Sequence, residues 1–296
     1  GGIVSRPIKR EFGNRDIPSW ATGAGGEKFI DITYQVGDGM AKISINRPQV
    51  RNAFRPQTII ELQEAFSLAR DNTEVGVIIF TGTGDEAFCS GGDISGMGGA
   101  AGPLTTTAER VADLTHKQVT LTQRLFELDK LTIAALPGAA AGAGLSIALA
   151  CDLRVAADSA FMVTAFANIG LSGDYGGTWF LPRLIGLAKA KELYYTADRV
   201  TAAEAARLGL VNKVFADASF RLDAFAYAKK LANGPTQALS RMKKNLNAGL
   251  DQSLTASLAL EAQHMIASGG TEESREAIRA FMEKRPPRFD RGEPAS

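Results

Sequence analysis

The stretch GLSGDYGGTWFLPRLIG, residues 170–186, holds a single acid, Asp174, behind Gly173 and ahead of the Gly176-Gly177 pair. A carboxylate can take a proton from carbon and return it elsewhere, and it does so near neutral pH when apolar surroundings raise its pKa. Leu171, Tyr175, Trp179 and Phe180 supply such surroundings. The competing reading is a turn residue, because turns select Asp and Gly. Two further stretches carry chemistry in the main chain. FCSGGDISGM (88–97) and GAAAGAGLSIALACD (138–152) each run from an apolar strand through a turn of small residues into a helix start. The first amides of a helix have no internal partner, and the aligned peptide dipoles add about half a positive charge there. Two such turns facing each other would offer a pair of N–H donors to one oxyanion. Each alone also reads as an ordinary tight turn, and neither spells a phosphate-loop or dinucleotide-binding glycine pattern.

Other reactive residue types are scarce. His116 lies on a charged helical stretch and His264 on a late amphipathic one, so both are expected at the surface or an interface. Cys89 and Cys151 are the only cysteines; they border the glycine turns as small apolar residues and give no disulfide framework. With two histidines they reach no metal-ligand spacing, and no metal site is expected. The 33 basic and 32 acidic residues leave a net charge of +1. No global field then draws in nucleic acid or an anionic membrane, and an anionic ligand must be met locally. The longest apolar stretch, residues 139–150, is glycine-interrupted and falls short of the ~20 residues of a membrane-spanning helix. The first residues carry no apolar signal-peptide core, and the expected location is the cytoplasm.

The elements that must hold these turns follow from periodicity. With 296 residues, 45% of them hydrophobic and 22% charged, the chain suits one large α/β domain with an appendage. Residues 1–28 alternate charge, Pro and Gly without a period and read as a surface or disordered leader. FIDITYQVGDGMAKISINRP alternates about a GDG turn as a hairpin does, and PQTIIELQEAFSLARDN has helical spacing. VGVIIFTGTG, LTIAALPG and LRVAAD read as buried strands, with helices over about 106–129 and in GLSIALACD. Strand, glycine turn and helix thus recur through residues 29–217. From 218 to 296 the chain reads as four helices, expected to pack on their own core or against another subunit.

In that order and spacing INRPQVRNAF, AFCSGGDI, GAAAGAGLSIALACDLRVAADSAF, IGLSGDYGGTWFLPRLIG and AAEAARLGLVNKV resemble the crotonase (enoyl-CoA hydratase/isomerase) family, over about residues 29–289. The resemblance implies an α/β fold, a spiral of ββα units with a C-terminal helical trimerisation region, assembled as a homotrimer or a dimer of trimers. It implies an acyl-CoA substrate, with coenzyme A as part of that substrate and no tightly bound cofactor. The thioester oxygen would be held by the main-chain amides of Gly92 and Ala143. Family members that add water carry two glutamates where this chain has Ser146 and Phe166. Asp174 instead matches the catalytic aspartate of enoyl-CoA and dienoyl-CoA isomerases and of the ring isomerase of phenylacetate breakdown, and the nucleophile of aryl-CoA dehalogenases.

The same resemblance places Arg51 and Ala53 of VRNAF, Ser90, Gly91, Asp93 and Ile94 of SGGDI, and Gly142 along the coenzyme A path. Lys284 matches a coenzyme A cation that often reaches across from a neighbouring subunit. Arg55 is a weaker cation candidate, and Asp93 is expected to hold its loop. Ser146, Ser172 and Tyr175 are candidates for orienting a water or the acyl group. NRPQVRNAFRPQT and KRPPRF also resemble the family's dihydroxynaphthoyl-CoA synthases, whose tyrosine ahead of the TEE segment is Gly269 here. The expected activity is a double-bond shift with one aspartate as acid and base. The alternatives are an enoyl-CoA hydratase, a CoA-linked hydrolase or ring-opening enzyme, and an inactive CoA-binding scaffold.

Overall fold

Apolar and polar residues alternate on either side of Asp38-Gly39, and the chain folds there into an antiparallel hairpin. Strands β2 (Ile32–Gly37) and β3 (Met40–Ile45) pair from Ile32 opposite Ile45 to Gly37 opposite Met40. Asp38 and Gly39 both have positive φ, as a two-residue hairpin turn matched to strand twist requires. The computed structural model describes residues 20–94 and 106–289. Helix α1 (Pro56–Asp71) then crosses to β4 (Val77–Gly82), parallel to β3 and buried at every position, which is why its sequence does not alternate.

Parallel pairing continues through β6 (Leu131–Leu136), β8 (Leu153–Ala157) and β11 (Lys213–Phe215). With β1 (Ala21–Thr22) at the far edge, the seven-stranded order is β1-β2-β3-β4-β6-β8-β11. A second sheet holds β5 (Ala87–Cys89), β7 (Ala139–Ala141), β9 (Phe161–Val163) and β10 (Val200–Thr201) in the order β10-β9-β7-β5. From β4 to β9 successive strands alternate between the sheets, so the chain winds as a spiral there. Phe66 of α1, Phe80 of β4 and Phe88 of β5 tie the layers, edge to face at 5.2 and 5.1 Å.

Trp20 to Lys28 fall in the stretch read as leader, yet they lie against the domain. Ala21 and Thr22 pair with Val36 and Gln35, and the Trp20 ring sits 6.4 Å from that of Phe225. Residues 1–19 of that leader lie outside the described residues.

The four C-terminal helices form where periodicity places them: α8 (Phe220–Ala232), α9 (Thr236–Ala248), α10 (Leu254–Gly269) and α11 (Glu272–Met282). They do not share one core. The apolar stripe of α8, with Phe220, Ala224, Phe225 and Ala228, packs on β3, β4, β8 and β11 and so belongs to the large sheet. Helix α9 is held to β6 by Lys243, whose buried ammonium lies 2.9 Å from Asp152 and donates to the Lys130 carbonyl. Helix α10 touches α9 and α11 and has no buried residue, leaving Leu254, Leu258, Met265 and Ile266 exposed beside Ile278 and Phe281 of α11.

Candidate active site

The two glycine turns meet because β5 and β7 are parallel neighbours, with Ala87 opposite Ala139 and Cys89 opposite Ala140. Gly91 has φ +106, and a Cβ added there would lie 3.6 Å from the Ala143 nitrogen. Gly142 has φ 56 and ψ −128, the mirror image of an extended residue, and turns the chain into α4 (Ala143–Leu149). A Cβ on Gly144 would fall 2.3 Å from the Cys89 carbonyl oxygen, so only glycine lets α4 seat against the end of β5.

Main-chain bonds fix the first turn. The Phe54 amide donates to the Gly91 carbonyl at 2.9 Å and the Asp93 amide to the Phe54 carbonyl at 2.7 Å. Arg47 Nη1 donates to the Ala53 carbonyl and, at 3.2 Å, to Asp93 Oδ2, so Asp93 secures its loop from the far side. In the second turn the Gly142 amide is taken by the Val163 carbonyl at 3.0 Å. The Gly92 and Ala143 amides donate to no protein acceptor among the described residues.

Asp174 arrives on the loop between a 3-10 turn, Phe166–Ile169, and helix α5 (Gly177–Ile185). Gly173, Tyr175 and Gly176 all have positive φ, which wraps the chain tightly around the acid. The Tyr175 amide donates to Gln118 Oε1 at 2.7 Å, and its ring stands edge-on to Phe54 at 5.3 Å. Asp174 is half-buried, and its Oδ1 is fully buried with no hydrogen-bond partner. Burial pushes its pKa above the ordinary aspartate value. The Tyr194 hydroxyl is pushed up to about 12, mainly by burial, with Ser146 bonding it and the Asp174 charge adding to the rise.

A cleft of about 640 Å³ joins these parts. Ala53, Ser90, Gly91, Gly92, Asp93, Ile94, Gly142, Ala143, Asp174 and Tyr175 all line it. Other candidates do not. Arg51 is 72% exposed and points to Glu86, 3.9 Å away. Ser172 is exposed beyond the lining, and Ser146 is buried beneath it, with Oγ facing the Gly142 carbonyl at 3.4 Å. Lys284 is exposed past the end of α11. Arg55 reaches the cleft wall, but its guanidinium grips Asp31 through two bonds of 2.8 and 2.7 Å.

Helix α2 (Thr107–Gln118) adds Leu114 and Lys117 to the cleft, residues that the sequence did not single out. An apolar stripe on a charged helix was the available signal, but not the face it would present. Phe54, Ile59, Ile169 and Leu171 complete an apolar wall. Both thiols are buried and pushed up to about 12 by loss of water, which suits packing rather than nucleophilic attack. His116 is exposed and His264 bonds Asn245. No metal-holding group of His, Cys, Asp or Glu occurs among the described residues, and no helix among them is long and apolar enough to cross a membrane. A cavity of about 710 Å³ beside α11 is lined by Glu272, Glu276, Arg279 and Arg285, whose charges are already paired with one another.

One cleft is thus lined by two residues whose main-chain amides have no protein acceptor among the described residues, Gly92 and Ala143, and by an acid with a buried, unpartnered oxygen, Asp174. Residues 35–292 match the family model described as enoyl-CoA hydratase/isomerase. A Rhodobacter capsulatus protein named "probable enoyl-CoA hydratase" is 42% identical over 261 residues, covering 88% of this chain and 98% of that relative. The crystal structure of enoyl-CoA hydratase from Bacillus anthracis superposes with a TM-score of 0.81 at 31% identity, over 89% of this chain and 100% of that one. That of an enoyl-CoA hydratase from Polaromonas sp. JS666 gives 0.80 at 32% identity, over 88% and 99%.

Proposed function

Because the chain belongs to the enoyl-CoA hydratase/isomerase family, we propose that it binds an acyl-CoA thioester and moves a carbon–carbon double bond with Asp174 as the single acid and base. The carrying observation is the buried, unpartnered Oδ1 of Asp174 in the cleft lined by Gly92 and Ala143. The thioester oxygen accepts from the Gly92 and Ala143 amides. As a proton leaves carbon, negative charge collects on that oxygen, where each well-placed donor contributes about 3 kcal/mol. Ionised Asp174 takes the proton: the C–H bond breaks, an O–H bond forms, and the electron pair passes into the enolate. Collapse of the enolate draws the proton back at a different carbon, and the double bond has moved. Burial favours the neutral carboxyl that forms in between.

Ser146 and Phe166 support this reading over two-carboxylate hydration, since neither side chain can act as the base that a water-adding pair needs. The 42% identical relative, by its name, favours a hydratase as the second reading. The two differ by product: isomerisation keeps the substrate's mass, and hydration adds one water. A hydrolase would release free coenzyme A, and a scaffold would bind without turnover. A panel of 2-enoyl, 3-enoyl and cyclic acyl-CoA thioesters read by mass spectrometry tests all four.

No separate cofactor enters this chemistry. Arg51 follows Val50, which lines the cleft, and its exposed guanidinium, paired only loosely with Glu86 at 3.9 Å, would turn to a coenzyme A phosphate. Arg51→Ala is expected to weaken acyl-CoA affinity about three- to tenfold, the scale of one exposed charge contact. Titration showing unchanged affinity removes Arg51 from the site. The bare apolar faces of α10 and α11 are consistent with a homotrimer or dimer of trimers, with Lys284 serving a neighbouring protomer's site.

A further inference from the structure

Asp174 sits in a turn that one of its own residues disfavours. Gly173 at φ 103 and Gly176 at φ 91 enter the left-handed region readily, but Tyr175 at φ 58 is a bulky side chain where residues other than glycine are uncommon. Strained positions of this kind persist only where the surroundings hold them, and they cluster at functional sites.

Among the described residues one hydrogen bond ties that turn to a distant part of the chain. The amide of Tyr175, a residue only 3% exposed, donates to Gln118 Oε1 at 2.7 Å, and no main-chain carbonyl takes it instead. Gln118 is the last residue of α2, where Leu114, Lys117 and Gln118 share one helix face at i, i+3 and i+4. The first two line the cleft with Asp174. Directly after Gln118 the chain makes one π-helical turn, Val119–Gln123, before the short helix α3 (Arg124–Phe126). Such turns are rare and gather at functional sites. The stretch is braced on α1: Gln63 Nε2 donates to Thr120 Oγ1 at 2.6 Å, and Arg124 donates to Ser67 Oγ. It also backs the acid's turn by contact, since a Cβ added to Gly176 would lie 3.2 Å from Thr122 Cγ2.

We propose that Gln118 is a positioning residue for Asp174. By taking the Tyr175 amide it keeps the strained turn closed, and the closed turn holds Oδ1 of the acid out of water. This rests on the reading of Asp174 as the proton-transfer group. Gln118 acts only through the turn, fixing the acid against the helix whose Leu114 and Lys117 wall the same cleft.

The test compares Gln118→Met, which keeps the length of the side chain and removes the acceptor, with Gln118→Glu, which keeps the acceptor. Turnover of a 3-enoyl-CoA gives kcat and kcat/KM across pH, and isothermal titration with a saturated acyl-CoA gives affinity. Gln118→Met is expected to lower kcat about 10- to 100-fold, the scale of a misplaced reacting group, with affinity held within about twofold. Its acid limb should move down toward the ordinary aspartate value, because an opened turn lets water reach the carboxyl. Tyr175 and Tyr194 feel the Asp174 charge, Asp113 acts on Tyr175, and Arg55, Asp93 and Lys117 line the cleft. All of them remain in both variants, so a moved limb reports the surroundings of the acid. Gln118→Glu should keep kcat within about threefold and move the limb up, since a second carboxylate beside the acid disfavours its charged form. A kcat for Gln118→Met within about twofold of wild type, a limb left in place, or an equal loss in Gln118→Glu overturns the proposal and leaves Gln118 a brace of the fold. Should Gln118→Met not fold, Gln118→Asn, whose carbonyl stops one carbon short of the amide, carries the same expectations. Failure of the acid's own reading looks different: turnover then survives Asp174→Asn, and no limb belongs to that carboxyl.

Discussion

Asp174→Asn is expected to lower double-bond migration about 10³-fold, within the range that a positioned proton-transfer group supplies. Asparagine keeps the shape of the side chain and its place between Gly173 and Tyr175, but it cannot take a proton. Saturated acyl-CoA should therefore still bind within a few-fold, which separates lost chemistry from a lost site. The pH profile gives a second readout. Burial holds the Asp174 pKa above the ordinary value of 3.8, so as pH falls through that raised value the base becomes protonated and kcat/KM declines. The acid limb is expected above the ordinary aspartate range in the wild type and absent from the residual rate of Asp174→Asn. Stability moves the opposite way. A folded-state pKa above the unfolded one means that ionised Asp174 costs stability at neutral pH, and this cost disappears as pH falls through the folded and then the unfolded value. Asp174→Asn should be at least as stable as wild type at neutral pH, with the advantage fading in acid. Denaturant midpoints across pH check it; a destabilised variant would mean that the acid holds the fold rather than serves a substrate.

Ala143→Pro is expected to lower kcat/KM by at least about 10²-fold, since one oxyanion donor is lost and the ring Cδ also fills the space its oxygen would take. The backbone itself tolerates proline at this position. Ala143 is the first residue of α4, where proline is tolerated because no helical bond uses the amide. Gly142, at φ 56 and ψ −128, already occupies the mirror image of the extended conformation that proline imposes on its predecessor, and glycine has no handedness. The N–H is thus removed with little change to the backbone around it. A loss of less than tenfold, in a variant whose thermal midpoint is unchanged, would exclude the Ala143 amide from charge stabilisation.

The sequence was most legible where one element buries a whole face. The six residues of β4 are all buried and read as an uninterrupted apolar run, and the β2–β3 hairpin announces itself by alternation and by Asp38-Gly39. The second sheet left little trace. Ala139–Ala141 neither alternates nor carries branched side chains; it is a strand because β5 and β9 lie on either side to pair with it. Helix α8 showed that it buries a stripe but not what it buries it against, and the large sheet rather than its sister helices takes that stripe.

In the site, the residues expected to act through their main chain come together because each glycine turn ends one of two parallel neighbouring strands. Gly91, Gly92, Gly142 and Ala143 reach the cleft together. Side chains were placed less well. Arg51, Ser172 and Lys284 occupy matching motif positions, yet each lies outside the cleft lining of the single chain, since position along a motif does not fix rotamer or partner. Leu114 and Lys117 went unnoticed for a related reason: the spacing of α2 shows a stripe but not what that stripe faces. Residues 95–105, between the first glycine turn and α2, lie outside the described residues.

The account stands on one carboxylate moving one proton without water entering the product. The direct measurement is turnover of a 3-enoyl-CoA in water labelled with heavy oxygen, followed by mass spectrometry of the thioester formed. An isomer with the double bond shifted, unlabelled and of unchanged elemental composition, is the expected product, and it should vanish with Asp174→Asn. A thioester that has gained labelled oxygen as its first product would contradict the account and make this cleft a water-adding site.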